Sequence, residues 1–251
     1  MLELHPLHGL PEVSEGADLA ALLADAVTAA GIEPQPQDVL VVTQKIVSKA
    51  EGRMVDLATV DPGPQALAMA ADTARDARVI ELILRESSAI IRATPQVLVT
   101  RHHSGHVMAN AGIDRSNLGK GNAEKVLLLP EDADASALAL HTTLATRFAH
   151  APAIVISDSF GRPWRMGTVN VAIGAAGLPS IIDQRGDIDR DGRLLMVTQV
   201  ALADMIASAA GLVAGEAAEG IPAVYVRGLS WSAPDAPAKA LVRPIAEDLF
   251  R

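Results

Sequence analysis

Cysteine is absent from all 251 residues, which excludes disulfides, thiolate nucleophiles and cysteine-built zinc sites and fits a reducing cytoplasm. Aromatic residues are almost as scarce, at 2% of a chain that is 49% apolar. The core therefore has to be built from Ala, Val, Leu and Ile. Positive charge is in deficit, because 21 Lys and Arg against 30 Asp and Glu leave a formal charge of -9. Nucleic-acid backbones and anionic membrane surfaces reward the opposite balance, so neither is expected as a partner, and any phosphate must be met locally. Long hydrophobic runs are missing too. The most apolar stretch, 200–214, contains Asp204 and spaces Leu202, Ile206, Leu212 and Val213 as a packed helix does, not as a membrane span. Met1-Leu2-Glu3-Leu4-His5 lacks the basic and apolar regions of a signal peptide, so a cytoplasmic protein is expected. The length suits one large domain or two small ones, and two interleaved lobes are expected.

What is present is concentrated in Ile154-Val155-Ile156-Ser157-Asp158-Ser159-Phe160-Gly161-Arg162-Pro163-Trp164-Arg165. A β-branched run after Pro152 reads as a buried strand over 153–157. Asp158 and Ser159 then fall at its carboxyl end, where open α/β sheets place ligands, and Gly161 is expected to turn the chain sharply. Arg162 and Arg165 bring two planar cations near the carboxylate. Carboxylate, hydroxyl and guanidinium together suit a metal-bound phosphate. The same residues also suit a strand end whose Asp caps a turn and pairs with an Arg.

Along the chain, strand-like Leu2-Glu3-Leu4 leads to a turn at Gly9-Leu10-Pro11-Glu12-Val13. A helical stripe follows (Leu19, Leu22, Leu23, Ala26, Val27, Ala30), started near Asp18 and stopped by Gly31. Asp38 to Thr43 is a second buried strand, and the Gln44 to Gly52 segment behind it could set Lys49 against a nucleotide phosphate. It is no Walker A loop, and a lone Lys after a strand is more often a surface charge. Residues 64–86 read as one helix. Strands are expected at Ala89–Arg92, Gln96–Arg101 and Val107–Ala111, the last running into Asp114, a second carboxylate. His102 and His103 alternate on a strand and cannot share one metal ion, with His106 close by. Val126–Leu129 reads as a strand and 134–149 as a helix. Further strands are expected at Val169–Gly174, Ser180–Asp183, Leu194–Thr198 and Ile221–Arg227. Asp187, Asp189, Asp191 and Gly192 imitate the start of a calcium loop, but the twelfth position is Thr198, so a hydrated turn is expected. In Gly215-Glu216-Ala217-Ala218-Glu219-Gly220 the glycines allow close backbone approach and Glu216 offers a third acidic donor. The 232–239 segment reads as a surface excursion.

Four blocks, Val47 to Arg53, Asn110 to Asn117, Ser157 to Arg162 and Gly220 to Gly228, closely resemble the coenzyme F420-0:L-glutamate ligase family in content and order. The resemblance spans nearly the whole chain. It implies a mixed α+β fold of two interleaved lobes in an intertwined homodimer with active sites near the interface. It also implies a single ligase domain over 1–251, without the carboxy-terminal nitroreductase-type domain fused to some relatives. The implied reaction is GTP-dependent addition of L-glutamate to the deazaflavin coenzyme precursor F420-0, with two divalent ions (Mg2+ or Mn2+) and K+. Asp114 and Asp158 would then hold one divalent ion, and Ser159 and Glu216 the second. Nucleotide contacts would come from Leu10, Pro11, Glu12, Val13, Gln44, Lys49, Asn117 and the loop Ala214, Gly215, Glu216, Ala217, Ala218, Glu219, Gly220, Ile221. Arg162 and Arg165 would clamp anionic groups in catalysis. The chain departs from the family in having Ser159 for the usual Thr, which keeps the hydroxyl, and Met205 where many members carry Glu. A two-metal phosphohydrolase and a non-catalytic GTP-binding regulator remain the alternatives.

Overall fold

The computed structural model describes residues 1–119 and 121–248. In chain order its strands and α-helices are β1 (Glu3–Pro6), α1 (Leu19–Ala29), β2 (Val39–Thr43), α2 (Gln44–Ala50), β3 (Met54–Asp56), α3 (Pro64–Thr73), α4 (Ala77–Arg85), β4 (Ser87–Ala93), β5 (Leu98–His102) and β6 (Val107–Ala109). They continue with β7 (Lys125–Leu127), α5 (Ala133–Leu144), β8 (Ala153–Arg162), β9 (Arg165–Ala176), β10 (Ile182–Asp183), β11 (Gln199–Val200), α6 (Leu202–Ala214) and β12 (Ala223–Arg227). The architecture is mixed α+β, as expected.

A five-stranded sheet in the order β1-β12-β2-β8-β9 organises the molecule. Only β2 and β8 run parallel; every other pairing in it is antiparallel. Alternation along β2 sends Leu40 and Val42 to one face and Val39 and Val41 to the other. On the first face they meet Leu23 and Val27 of α1 and Leu140 and Leu144 of α5. On the second they meet Ala203, Ile206, Ala207 and Ala210 of α6. Cover on both faces explains why these strands read as unbroken apolar runs. Each fully buried Leu, Ile or Val contributes roughly 1.5–3 kcal/mol. A separate core, built around Leu57, Ile80, Ile83, Leu98, Val126 and Leu128, belongs to the segment between α2 and α5.

Several boundaries differ from expectation for identifiable reasons. The 64–86 helix is two helices, because Ala74 takes a left-handed φ of 54° and Asp76 starts a new cap by accepting from the Arg78 N–H at 2.9 Å. The Gln44 to Ala50 segment, given no element from sequence, is helical. α5 ends at Leu144, short of 149, where the N–H groups of Arg147 and Phe148 both turn back to the Leu144 carbonyl. The expected strand at 194–198 does not form; a two-residue strand, Gln199–Val200, pairs with Ile182–Asp183 instead. In the 187–192 run Asp189 caps a turn, accepting from the N–H groups of Asp191 and Arg193. The 232–239 excursion is mostly exposed but ends on Ala238, which is fully buried.

β8 itself is twice as long as its apolar run. It continues through Gly161 to Arg162, paired with β9, so Gly161 is a strand residue and the turn falls on Pro163-Trp164. Sequence reasoning placed the bend at the glycine; the structure places it at Trp164, whose φ is 58°. Asp158 and Ser159 are therefore mid-strand. They nonetheless lie just beyond the last parallel pair, Thr43 with Ser157, at the carboxyl end of the two parallel strands.

Candidate active site

At that carboxyl end opens a cleft of about 750 Å³. Its walls come from the loop ahead of α1, the first turns of α2, the segment after β6, the middle of β8 and the loop after α6. Leu10, Pro11, Glu12 and Val13 line it, as do Gln44, Lys49, Asp114, Asn117, Asp158, Ser159 and every residue from Ala214 to Ile221. Arg162 and Arg165 do not. Both stand on the tip of the β8–β9 hairpin, where the Arg162 Nη2 donates to the Met166 carbonyl at 3.2 Å and Arg165 is exposed.

Three carboxylates face one another across the cleft floor. Burial pushes the Asp158 carboxyl up to about 7; the Ser159 N–H opposes this, the charge of Asp114 reinforces it, Lys45 opposes it and Glu216 reinforces it. A carboxylate in such a place calls for a cation. Asp114 has found one: Lys45 Nζ lies 2.8 Å from its Oδ2. Burial works against the Asp114 charge, but Lys45 and the N–H of Ser116 outweigh it and hold the group below the usual carboxylate range. The Ser159 hydroxyl donates to Glu216 Oε2 at 2.6 Å, and Asn170 Nδ2 donates to the Ser159 oxygen at 3.3 Å.

Among the described residues no three of His, Asp and Glu converge closely enough to hold a metal ion alone. The donor set is instead two carboxylates near one another and a carboxylate–hydroxyl pair beside them. Hard oxygen donors of this kind suit Mg2+ or Mn2+ when phosphate and water complete the shell. The three histidines of the earlier cluster take other partners: His102 and His106 both meet the Ser104 hydroxyl at 2.8 Å, and His103 meets the Arg85 carbonyl.

Lys49 corrects the reading of a surface charge, because it is only 6% exposed. Its ammonium contacts Glu12 Oε1 at 2.5 Å and the Asn117 carbonyl at 3.0 Å. Helix α2 thus aims Lys45 and Lys49, one turn apart on the same face, into the cleft. Sequence reasoning missed Lys45, although the i, i+4 spacing was a signal that helix formation would have exposed. Asn110 and Asn170 were missed as well. Asn117 crosses the cleft to donate to the Ala217 carbonyl at 3.0 Å and so ties the two loops together. Gly215, at φ 72°, could not be replaced easily, since a Cβ there would lie 2.2 Å from the Glu219 side chain.

The chain matches the model of the family described as F420-0:Gamma-glutamyl ligase over residues 9–228. It is also similar to proteins named Coenzyme F420:L-glutamate ligase. One from Methanothermobacter thermautotrophicus is 43% identical over 252 residues, spanning 100% of this chain and 99% of that protein. Another, from Methanopyrus kandleri, is 42% identical over 255 residues, spanning 100% and 98%. A third, from Natronomonas pharaonis, is 44% identical over 238 residues, spanning 92% and 87%.

Proposed function

The chain belongs to the F420-0:gamma-glutamyl ligase family, and from that membership we propose that it joins L-glutamate to the deazaflavin precursor F420-0 at the expense of GTP. The observation that carries this reading is convergence: blocks separated by up to two hundred residues meet in one cleft that pairs acidic oxygens with two lysines. In the proposed reaction a carboxylate oxygen of the precursor attacks the γ-phosphorus of GTP and GDP leaves. The glutamate amine then attacks the carbonyl of the resulting acyl phosphate, expels inorganic phosphate and loses a proton to form the amide.

Asp114 and Asp158 would hold one divalent ion and Ser159 with Glu216 a second, and such ions neutralise phosphate charge and polarise the transferred group. Lys49 would exchange Glu12 for a phosphate oxygen, and Lys45 stands beside Asp114 to offset charge on the transferred group. The loops at 10–13 and 214–221, braced by Asn117, would enclose the nucleotide. K+ belongs to the same proposal and is tested by leaving it out.

The decisive measurement follows GDP and the coenzyme mass together, with and without glutamate. GDP release should depend on glutamate and match one added glutamyl unit, or two. GTP hydrolysis at an equal rate without glutamate would support the phosphohydrolase, and binding without turnover the regulator.

The homodimer is part of the proposal. Large apolar side chains stand exposed on the hairpin tip, with Trp164 at 82% and Met166 at 98%, and again at Met196 and Val197. Because the tip lies outside its own cleft, a clamp by Arg162 and Arg165 requires it to reach a cleft in a second copy. Light scattering should give twice the chain mass of 26.1 kDa, and Met166→Asp should shift the mass toward the monomer. A wild-type protein of single-chain mass at micromolar concentration would remove both the dimer and the clamp.

A further inference from the structure

Beside the main cleft lies a smaller one of about 430 Å³, lined by Arg75, Asp76, Val79, Asn110, Ile113 and Arg115. Asn110 and Ile113 also line the main cleft, so the two share a wall. Arg75 sits in the break between α3 and α4. Its Nη2 donates to Asn110 Oδ1 at 2.8 Å, whereas its Nη1 is buried with no hydrogen-bond partner among the described residues. A buried guanidinium nitrogen left without an acceptor is costly, and such a group marks a place where a ligand oxygen belongs.

The charges around it make the chemistry specific. Asp76 is already engaged by Arg78, whose Nη2 lies 2.7 Å from its Oδ2, and Arg115 stands near enough for its charge to act on Asp76. With Asp76 so neutralised, Arg75 and Arg115 leave the small cleft with surplus positive charge. Val79 and Ile113 supply an apolar wall. The Asn110 that fixes Arg75 has a left-handed φ of 53°, as does Ala111 after it at 54°. Backbone in that region is held by its surroundings, and it aims the Asn110 side chain at Arg75.

We propose that this side cleft is the subsite for the amino-acid substrate, in which Arg75 and Arg115 grip a carboxylate of L-glutamate and Val79 and Ile113 pack its methylenes. The inference rests on the ligase reading and deepens it. The cleft has room for an amino acid, and through Asn110 and Ile113 it shares a wall with the main site, whose lining includes Asp114. A glutamate held there by its carboxylate end can present its amine to the main cleft. The phosphate of the coenzyme precursor is the rival source of an anion, and the kinetics separate the two.

Arg75→Gln and Arg115→Gln are made in the full chain, and KM is measured separately for glutamate, GTP and the deazaflavin precursor. Calorimetry of glutamate binding to the chain loaded with Mg2+ and GDP provides a readout that needs no turnover. Loss of a charge-assisted bond to carboxylate corresponds to about a 30-fold rise in the glutamate KM for Arg75→Gln, with the GTP KM unchanged. Arg115→Gln, at an exposed position, should give a rise of several-fold and covers the case in which Arg75→Gln fails to fold. A rise confined to the precursor KM, or no change in either variant, overturns the subsite while leaving the ligase intact. If the wild-type chain binds glutamate but shows no turnover, and the substitutions weaken that binding, the subsite stands and the ligase falls. No glutamate binding by wild type overturns it.

Discussion

Asp158→Asn is expected to lower glutamate-dependent GDP release by roughly 100- to 1000-fold and, at the same time, to make the ligand-free protein more stable. The first effect follows from losing a charge placed where the proposed phosphoryl transfer would develop charge. The second follows from linkage. The Asp158 carboxyl is pushed up to about 7 from its ordinary 3.8, chiefly by burial and then by Asp114 and Glu216 against the Ser159 N–H and Lys45. Below the ordinary value the group is protonated whether the chain is folded or not. Between there and about 7 only the unfolded chain gives up the proton, so stability is lost as pH rises through that window and levels off above it. A wholly shielded group would cost roughly 4 kcal/mol at pH 8. Asp158 is half-buried, and after screening about 2 kcal/mol is expected. Replacement by Asn removes this cost, so its thermal midpoint should exceed wild type by about 5 °C at pH 8 and by little at pH 4. Saturating Mg2+ and GDP should narrow the gap, since they stabilise only the wild-type site. A variant less stable than wild type at pH 8 would mean that Asp158 is a structural acceptor. Retained turnover would remove it from the site.

Lys49→Ala should weaken GDP and GTP binding by about 100-fold, with a small change in stability. The physical case lies in the two partners of Lys49. Glu12 is 67% exposed at its side chain, so losing the ammonium leaves a carboxylate that water can solvate, at a cost of about 1 kcal/mol. A triphosphate bound as proposed would have no such recourse inside the cleft. Its charge would be met by few fixed cations, and a charge-assisted bond there is worth more than at the surface. Calorimetry with GDP and Mg2+ checks the binding, denaturant titration the stability, and Lys239→Ala, an exposed lysine outside the cleft, serves as control. Unchanged affinity would show that the Lys49–Glu12 pair is only a strut between α2 and the loop ahead of α1. A large loss of stability would indicate the same role.

Much of this molecule could be read from residues alone. The apolar runs at 38–43, 153–157 and 221–227 became central strands because β-branched residues covered on both faces have few alternatives. Asp18 and Gly31 bounded α1 through local capping chemistry, which requires no tertiary context. Sequence order also carried the family resemblance, because its four blocks are short local patterns. The acidic residues Asp114, Asp158 and Glu216 were each legible as donors at the ends of apolar segments.

Tertiary structure decided how those donors meet. Residues 114, 158 and 216 are far apart in sequence, and no local rule states that the three carboxylates share one cleft; their mutual repulsion and the raised Asp158 proton affinity exist only after folding. Lys49 read more readily as surface charge until packing of α2 buried it, and Lys45 was passed over because its partner, Asp114, lies nearly seventy residues on. The extent of β8 was likewise non-local. Its polar half, Asp158 to Arg162, lacks an apolar pattern and is strand only because β9 pairs with it, which carries Arg162 and Arg165 away from the cleft that adjacency to Asp158 had suggested. Side-chain type and short-range spacing fix capping, burial preference and candidate chemistry, since these act over a few residues. Charge coupling, register and the far partner of each hydrogen bond depend on contacts between distant segments, and the folded chain alone supplies them.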